Sequence, residues 1–341
     1  MPEQKTLDLI EEVSKKNPIY KDFINAANVI REVEPTKAYS KKRGIVDSIN
    51  SLSFCQTNDE SVYSTIKSRF GIKDERSFSK SFTEAISGDG KEEKRILTLH
   101  SSSLCALLHF YNPAGLQISL GNGKTMYVCS SSFEYKNCVF INEKGKRQER
   151  PSNIDLVLYG FTIEDKVDCI LFLESKYSEY MKPSNGIYAE RYTPLVDQFF
   201  GSLSALKIIK KEKGISLFID DGRKHYYGGI KQMVAHLQGI TNYMNGIRYE
   251  PQFHQNDPRI LKGTAIYFGE IAFEHNDESF YQWEKDYNVL AGVYNLSHTD
   301  NEKYPIMVPS LITYQELFMN PNYKSFPKLE PNIALFYGYK Q

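Results

Sequence analysis

Asp155, Glu174 and Lys176 are the residues whose types and spacing in this chain could do chemistry. Asp155 lies in the apolar stretch Ile-Asp-Leu-Val-Leu-Tyr-Gly at 154–160. Glu174 and Lys176 close the run Cys-Ile-Leu-Phe-Leu-Glu-Ser-Lys at 169–176. Folding the chain back on Glu164-Asp165 as a tight hairpin loop pairs Ile163 with Lys166 and, continued outward, sets Asp155 opposite Glu174. Opposed residues of an antiparallel pair share a face, with Cβ atoms about 5 Å apart, and like charges there repel. A divalent cation between the two carboxylates would resolve that repulsion, since hard cations take carboxylate oxygens with waters completing the shell. Lys176 stands two residues along the same strand and so on the same face. An ammonium there can help lower the pKa of a water and steady the charge on a phosphate. Such a set is equipped to hydrolyse a phosphodiester by in-line attack. A loop of three or five residues would make the pairing diagonal. The competing reading is that these charges mark only where the strand emerges into solvent.

An acid two residues before a lysine is common here, at Asp89/Lys91, Glu92/Lys94, Glu134/Lys136 and Glu164/Lys166. Only Glu174-Ser175-Lys176 follows a long apolar run that itself follows an apolar strand bearing an acid, and charges ending a buried strand are unusual. Glu134, near the end of the preceding strand, is either a third carboxylate for the site or an ordinary edge acid.

The elements that must position these residues can be read from periodicity. Helical spacing marks 7–30, broken at Asn17-Pro18, and a further helix around Ser61 to Phe70 ends at Gly71. Ser87-Gly88-Asp89-Gly90-Lys91 is the best candidate linker. Lys94 to Tyr111 reads as a helix stopped by Asn112-Pro113, with Ser101 to Ser103 available as N-caps. Strands follow at 125–135, 154–160 and 167–176, the last apolar enough to be buried on both faces. A tyrosine-rich irregular stretch to Pro194 gives way to helix through Leu206 to Lys213. An amphipathic helix over 229–245 carries Ile230, Met233, Val234, Leu237, Ile240 and Met244 on one stripe, and 263–273 reads as a central strand. The expected organisation is a helical region at 1–90 packed on the core, a core at 91–275, and an extension of the same domain at 276–341.

Composition bounds the rest. The 341 residues suffice for a large core, and 42 Lys and Arg balance 42 Asp and Glu, so charge neither supports nor excludes a polyanionic partner. Basic clusters stand at Lys41-Lys42-Arg43, Lys144-Gly145-Lys146-Arg147, Lys207 to Lys213 and Arg223-Lys224. Five scattered cysteines, none in a C-x-x-C pair, suggest neither a disulfide framework nor a zinc site. No stretch suits a bilayer span, and the first residues lack the layout of a secretory signal, so a soluble cytoplasmic protein with no membrane partner is expected. No Gly-rich phosphate loop supports a nucleotide-modifying enzyme.

Asp155 within Pro-Ser-Asn-Ile-Asp at 151–155, followed by Leu-Phe-Leu-Glu-Ser-Lys at 171–176, resembles the signature of the PD-(D/E)XK nuclease superfamily, more narrowly a group of bacterial restriction-endonuclease-like proteins. Pro151 precedes the acid by four residues instead of adjoining it. The resemblance covers 94–274 and implies an α/β fold, a mixed central sheet flanked by helices with an α-β-β-β-α-β core, carrying helical N- and C-terminal additions. It implies Asp155 and Glu174 as ligands of Mg2+ or Mn2+, the Ser175 main-chain carbonyl as an extra ligand, and Lys176 as the catalytic lysine. Gln232, near the start of the amphipathic helix, matches a glutamine that several members direct at the site. His236 shares its face and reads as a surface or internally satisfied histidine. Tyr177, Tyr180, Tyr188, Tyr192 and Trp283 either stack on bases or pack loops on the core. The implied activity is metal-dependent cleavage of nucleic acid, DNA before RNA, and a homodimer is compatible with it. The alternative is a catalytically inactive nuclease-fold protein that binds nucleic acid or a protein partner.

Overall fold

The structure, a computed structural model, describes residues 61–87, 96, 101–141, 151–177, 179–181, 187–225, 227–249, 263–274, 278–319, 329–337 and 339. The expectations for 7–30, most of the 87–91 linker, and the basic clusters at 41–43 and 144–147 lie outside these residues. The described chain falls into two compact units.

In the first unit, α1 (Val62–Phe70), α2 (Glu75–Ala85) and α3 (Ser102–Phe110) group with a short C-terminal helix, Pro331–Phe336. Each of α1–α3 starts at a polar cap: the side chains of Ser61, Asp74 and Ser101 accept from the backbone N–H groups of Ser64, Ser77 and Leu104. Gly71 ends α1 in the left-handed region. Phe78 anchors the unit against Phe82 and the edge of Tyr111.

The second unit is α/β, built on a mixed, curled sheet flanked by helices. β1 (Gln117–Gly121), β2 (Lys124–Asn137), β3 (Ser152–Thr162) and β4 (Asp168–Lys176) form an antiparallel meander. α4 (Thr193–Phe200) leads into a separate small sheet of β5 (Leu206–Lys211), β6 (Gly214–Asp220) and β7 (Lys224–His225). After α5 (Ile230–Met244), β8 (Ala265–Ala272) returns to the main sheet parallel to β4. Beyond α6 (Glu278–Ser297), the two-residue strands β9 (Ile306–Met307) and β10 (Ile312–Thr313) add parallel to β8, and α7 (Tyr314–Met319) follows. None of the described helices is long and apolar enough to cross a membrane.

Two expectations need correction. The stretch Leu206 to Lys213 is not helical: it is β5 and the turn into β6, closed by a two-residue loop at Glu212-Lys213 between the paired Lys211 and Gly214. Its lysines and isoleucines suit either period, and Gly214, at φ 144°, admits the turn while its missing Cβ clears the Tyr188 carbonyl. The hairpin loop between β3 and β4 has four residues, not two. Thr162 N–H donates to the Val167 carbonyl, and Lys166 takes a left-handed φ of 59°. Four residues and two share the same parity, so the expected register survives: Leu156 faces Leu173 and Phe161 faces Asp168.

One core joins the helices to the sheet. Ile170, Phe172, Ile266 and Phe268 meet Val196, Phe199 and Phe200 of α4, the α5 stripe of Ile230, Met233, Val234, Leu237 and Ile240, and Tyr287, Leu290 and Tyr294 of α6. Gly160 in β3 sits opposite Val128, beside the β-bulge that precedes Ser130, and a Cβ there would meet the Tyr127 carbonyl oxygen at 1.9 Å. Gly160→Ala is therefore expected to cost about 3 kcal/mol, read by urea unfolding. A loss under 0.5 kcal/mol would show that β2 yields easily at its bulge.

Candidate active site

The site lies where the β3–β4 ladder ends. The last backbone pair is Leu156 with Leu173, one step short of Asp155 and Glu174. There the Asp155 side chain takes over from the ladder, its Oδ2 accepting the Ser175 backbone N–H at 2.8 Å. Ser175 is locked from the other side by its hydroxyl against the Tyr314 hydroxyl, 2.8 Å. Glu174 and Lys176 share the face of Ile170 and Phe172, against α5.

Glu174 is 3% exposed and its carboxylate has three partners. Oε1 accepts from Lys176 Nζ at 2.6 Å and from Gln232 Nε2 at 2.9 Å, while Oε2 meets His236 Nε2 at 2.9 Å. The Gln232 carbonyl oxygen in turn accepts from Lys176 Nζ at 2.8 Å, so one amide holds both members of the ion pair. Burial opposes the Glu174 charge, but Lys176 and His236 outweigh burial and keep its carboxyl below its usual range. Burial likewise opposes the Lys176 ammonium, and Glu174 first, then Glu179, Glu270 and Asp155, hold it above its usual value. An ionised Glu174 only accepts, so His236 donates from Nε2, while its Nδ1 pairs with the Ser152 hydroxyl. Gly239 permits this reach. A Cβ there would meet Asn137 Cβ at 2.7 Å, so its absence lets α5 lie against the adjoining ends of β2 and β3.

Asp155 is the contrasting acid. Burial, then the Glu174 and Glu134 charges, push its carboxyl well above the usual range, and Lys176 and the Ser175 amide reverse this only in part. The residue is half-buried, and among the described residues Oδ1 accepts no hydrogen bond. Glu134 is buried one register step beyond the Phe133–Leu156 pair, opposite Asp155, with its backbone turned to φ 49°. The three expected acids thus fall on one row across β2, β3 and β4.

Reading the sequence missed a fourth member of that row. Glu270 pairs in register with Glu174 across the parallel β4–β8 ladder and is fully buried. Its Oε2 accepts from the Tyr227 hydroxyl at 2.7 Å and from Trp283 Nε1 at 2.9 Å, whereas Oε1 has no hydrogen-bond partner among the described residues. Burial raises its pKa, countered by Lys176. The available signal was an acid inside the apolar run of 265–273. Of its two expected readings His236 takes the internally satisfied one: it is buried and supports Glu174 from within, at i, i+4 spacing from Gln232. Trp283 and Tyr180 belong to the core and are not base-stacking groups. Tyr180 donates to the Phe273 carbonyl. Burial pushes the Cys169 thiol up to about 12, far from a nucleophile's range.

Among the described residues no three His, Cys, Asp or Glu side chains converge as a ready metal cage. Mg2+ is commonly held by one or two carboxylates with waters and substrate oxygens, and Asp155, with an open oxygen and a charge opposed by its neighbours, fits that lighter demand with Glu174 beside it. Comparison with protein-family models, with curated proteins and with solved structures finds no significant match to this chain.

Proposed function

We propose that Asp155, Glu174 and Lys176 form the centre of a divalent-metal-dependent nuclease that hydrolyses phosphodiester bonds of nucleic acid, DNA by the resemblance to PD-(D/E)XK enzymes. The observation that carries this reading is the juxtaposition at one ladder end of a half-open, charge-frustrated Asp155 with the Glu174–Lys176 pair. Within the second unit, β2, β3 and β4 in meander, followed after α4 and the small sheet by α5 and the parallel β8, support assigning a restriction-endonuclease-like core.

Asp155 and Glu174 would hold Mg2+ or Mn2+, which when bound lowers the pKa of a coordinated water and offsets phosphate charge. The chain's own residues do the rest. Lys176 keeps a fixed positive charge, aimed by Glu174 and by the Gln232 carbonyl, to meet a phosphate oxygen. Gln232 is exposed at the mouth and couples that aim to the outside. His236 and Ser152 fix the Glu174 rotamer from within. A second reading, a nuclease-like fold that binds without cutting, draws on one observation: both Glu174 oxygens are already engaged.

The test is cleavage of single- and double-stranded DNA and RNA with Mn2+, with Mg2+ and with EDTA, beside thermal unfolding. Mn2+ at 100-fold over its Kd should stabilise the protein by about 2.7 kcal/mol and permit cleavage, and Asp155→Asn should lose both effects. A Tm indifferent to Mn2+, with no cutting of any substrate, would dispose of the nuclease reading, and nucleic-acid binding without a metal effect would favour the second.

A further inference from the structure

A rim of aromatic rings and cations borders the site on the side of Gln232. Lys231, the next residue on α5, holds its ammonium 5.4 Å from the Tyr188 ring and 5.7 Å from the Tyr192 ring. Arg191 lies over Phe140 at 4.5 Å and reaches Tyr192 at 5.9 Å, and the Phe140 and Tyr192 rings meet edge to face at 5.2 Å. Phe140 and Tyr192 are only half-buried, and Arg191 is exposed. The rim continues into the small sheet, because Tyr188 and Ile215 exchange backbone hydrogen bonds of 2.8 and 2.7 Å that dock the β5–β6 hairpin beside it. That hairpin exposes Lys207, Lys210, Lys211 and Lys213. Over 187–192, 207–215 and 231 the chain carries six Lys and Arg against Glu190 and Glu212 alone, on a molecule whose formal net charge is zero.

Resting on the proposed nuclease reading, we infer that this rim binds single-stranded DNA, Tyr192 and Phe140 offering ring faces to unpaired bases while Arg191, Lys231 and the hairpin lysines follow the backbone phosphates. The positive excess is local and complements a polyanion. Half-exposed rings flanked by cations suit bases that are free of a duplex, because stacking needs a base face that pairing and stacking within a helix would hide. Cations over aromatic rings keep their orientation, and an arginine lying on a ring can still present its N–H edge to a phosphate. The rim sits one residue from Gln232, so a strand held there would run toward Lys176.

Fluorescence anisotropy with a labelled single-stranded DNA oligonucleotide in EDTA, so that binding is read without cleavage, tests this. The wild-type chain should bind the strand about tenfold more tightly than a duplex of the same sequence. Tyr192→Leu should weaken strand binding by about tenfold, the size of one lost base stack. Lys231→Gln, a substitution on the helix surface, should flatten the log K against log salt slope by about 0.7, the share of one single-strand phosphate contact. Equal affinity for strand and duplex, no binding of either, or unchanged binding by both variants would overturn the inference. Glu174→Gln separates the two claims. If it still binds strand but does not cut, both stand. If the wild type binds strand and never cuts with Mn2+, only the nuclease reading falls. If it cuts duplex while Tyr192→Leu and Lys231→Gln bind normally, only the single-strand assignment falls.

Discussion

Lys176→Met is expected to lower Mn2+-dependent cleavage by at least about 10²–10³-fold, the loss that follows removal of one charge-stabilising donor from a reaction centre. It should also destabilise the protein by about 3–5 kcal/mol, because Glu174 stays buried without its 2.6 Å partner. The double variant Glu174→Gln/Lys176→Met removes both charges with little change of shape, and most of the lost stability should return while activity does not. Urea unfolding and the cleavage assay read the two effects separately. Their pH dependence follows from the signs of the shifts. Glu174 is held below its ordinary 4.5, so its contribution is complete above that pH and fails as pH falls further. Lys176 is held above 10.5, so its contribution is complete below that value and fails only at higher pH. Wild-type cleavage by Lys176→Met would remove the lysine from the mechanism. A double variant as unstable as the single would show that the stranded Glu174 charge is not what costs stability.

How much of this site is legible in the sequence depends on what fixes each register. Asp155 and Glu174 are joined by a short hairpin, so counting from the turn places them even when the loop length is misjudged, provided the parity holds, as it does between Thr162 and Val167. Glu270 reaches the same row through a crossover of some ninety residues. No local signal sets the register of a parallel pair made that way, so an acid in an apolar strand gives no hint of its neighbour. Gln232 and His236 were legible as companions on one helix face, but not which way that face would turn, since the rotation of α5 is set by its packing stripe and by the close approach at Gly239. The β5–β6 hairpin was misjudged because Leu-Lys-Ile-Ile-Lys-Lys satisfies helical and strand spacing alike, and the deciding contact, Tyr188 with Ile215, lies in tertiary structure. The same contact brings the lysine cluster of that hairpin beside Tyr188.

In the helical unit, acid is expected to unfold the protein through His109. The ring is buried in α3, with Nδ1 2.8 Å from the Cys105 carbonyl and Nε2 2.8 Å from the Tyr339 hydroxyl. A carbonyl only accepts, so Nδ1 carries the proton and Nε2 accepts from Tyr339: the neutral ring satisfies both partners, and a second proton would displace the Tyr339 donor. Burial is the main cause that carries its pKa from 6.5 down to about 3, the Cys105 carbonyl opposing. The unfolded chain therefore binds a proton that the folded chain refuses between these values, and stability falls as pH drops through that window. The slope approaches about 1.4 kcal/mol per pH unit, and the whole loss is on the order of 5 kcal/mol. His109→Gln keeps a donor and an acceptor without a titrating group. Its stability relative to wild type should be lower at pH 7, where the imidazole fits better, and should overtake wild type toward pH 4. Urea midpoints of the two proteins across that range give the comparison with all other titrations cancelled. A difference that stays constant with pH would mean that the fold opens at this helix and admits the charged ring before global unfolding.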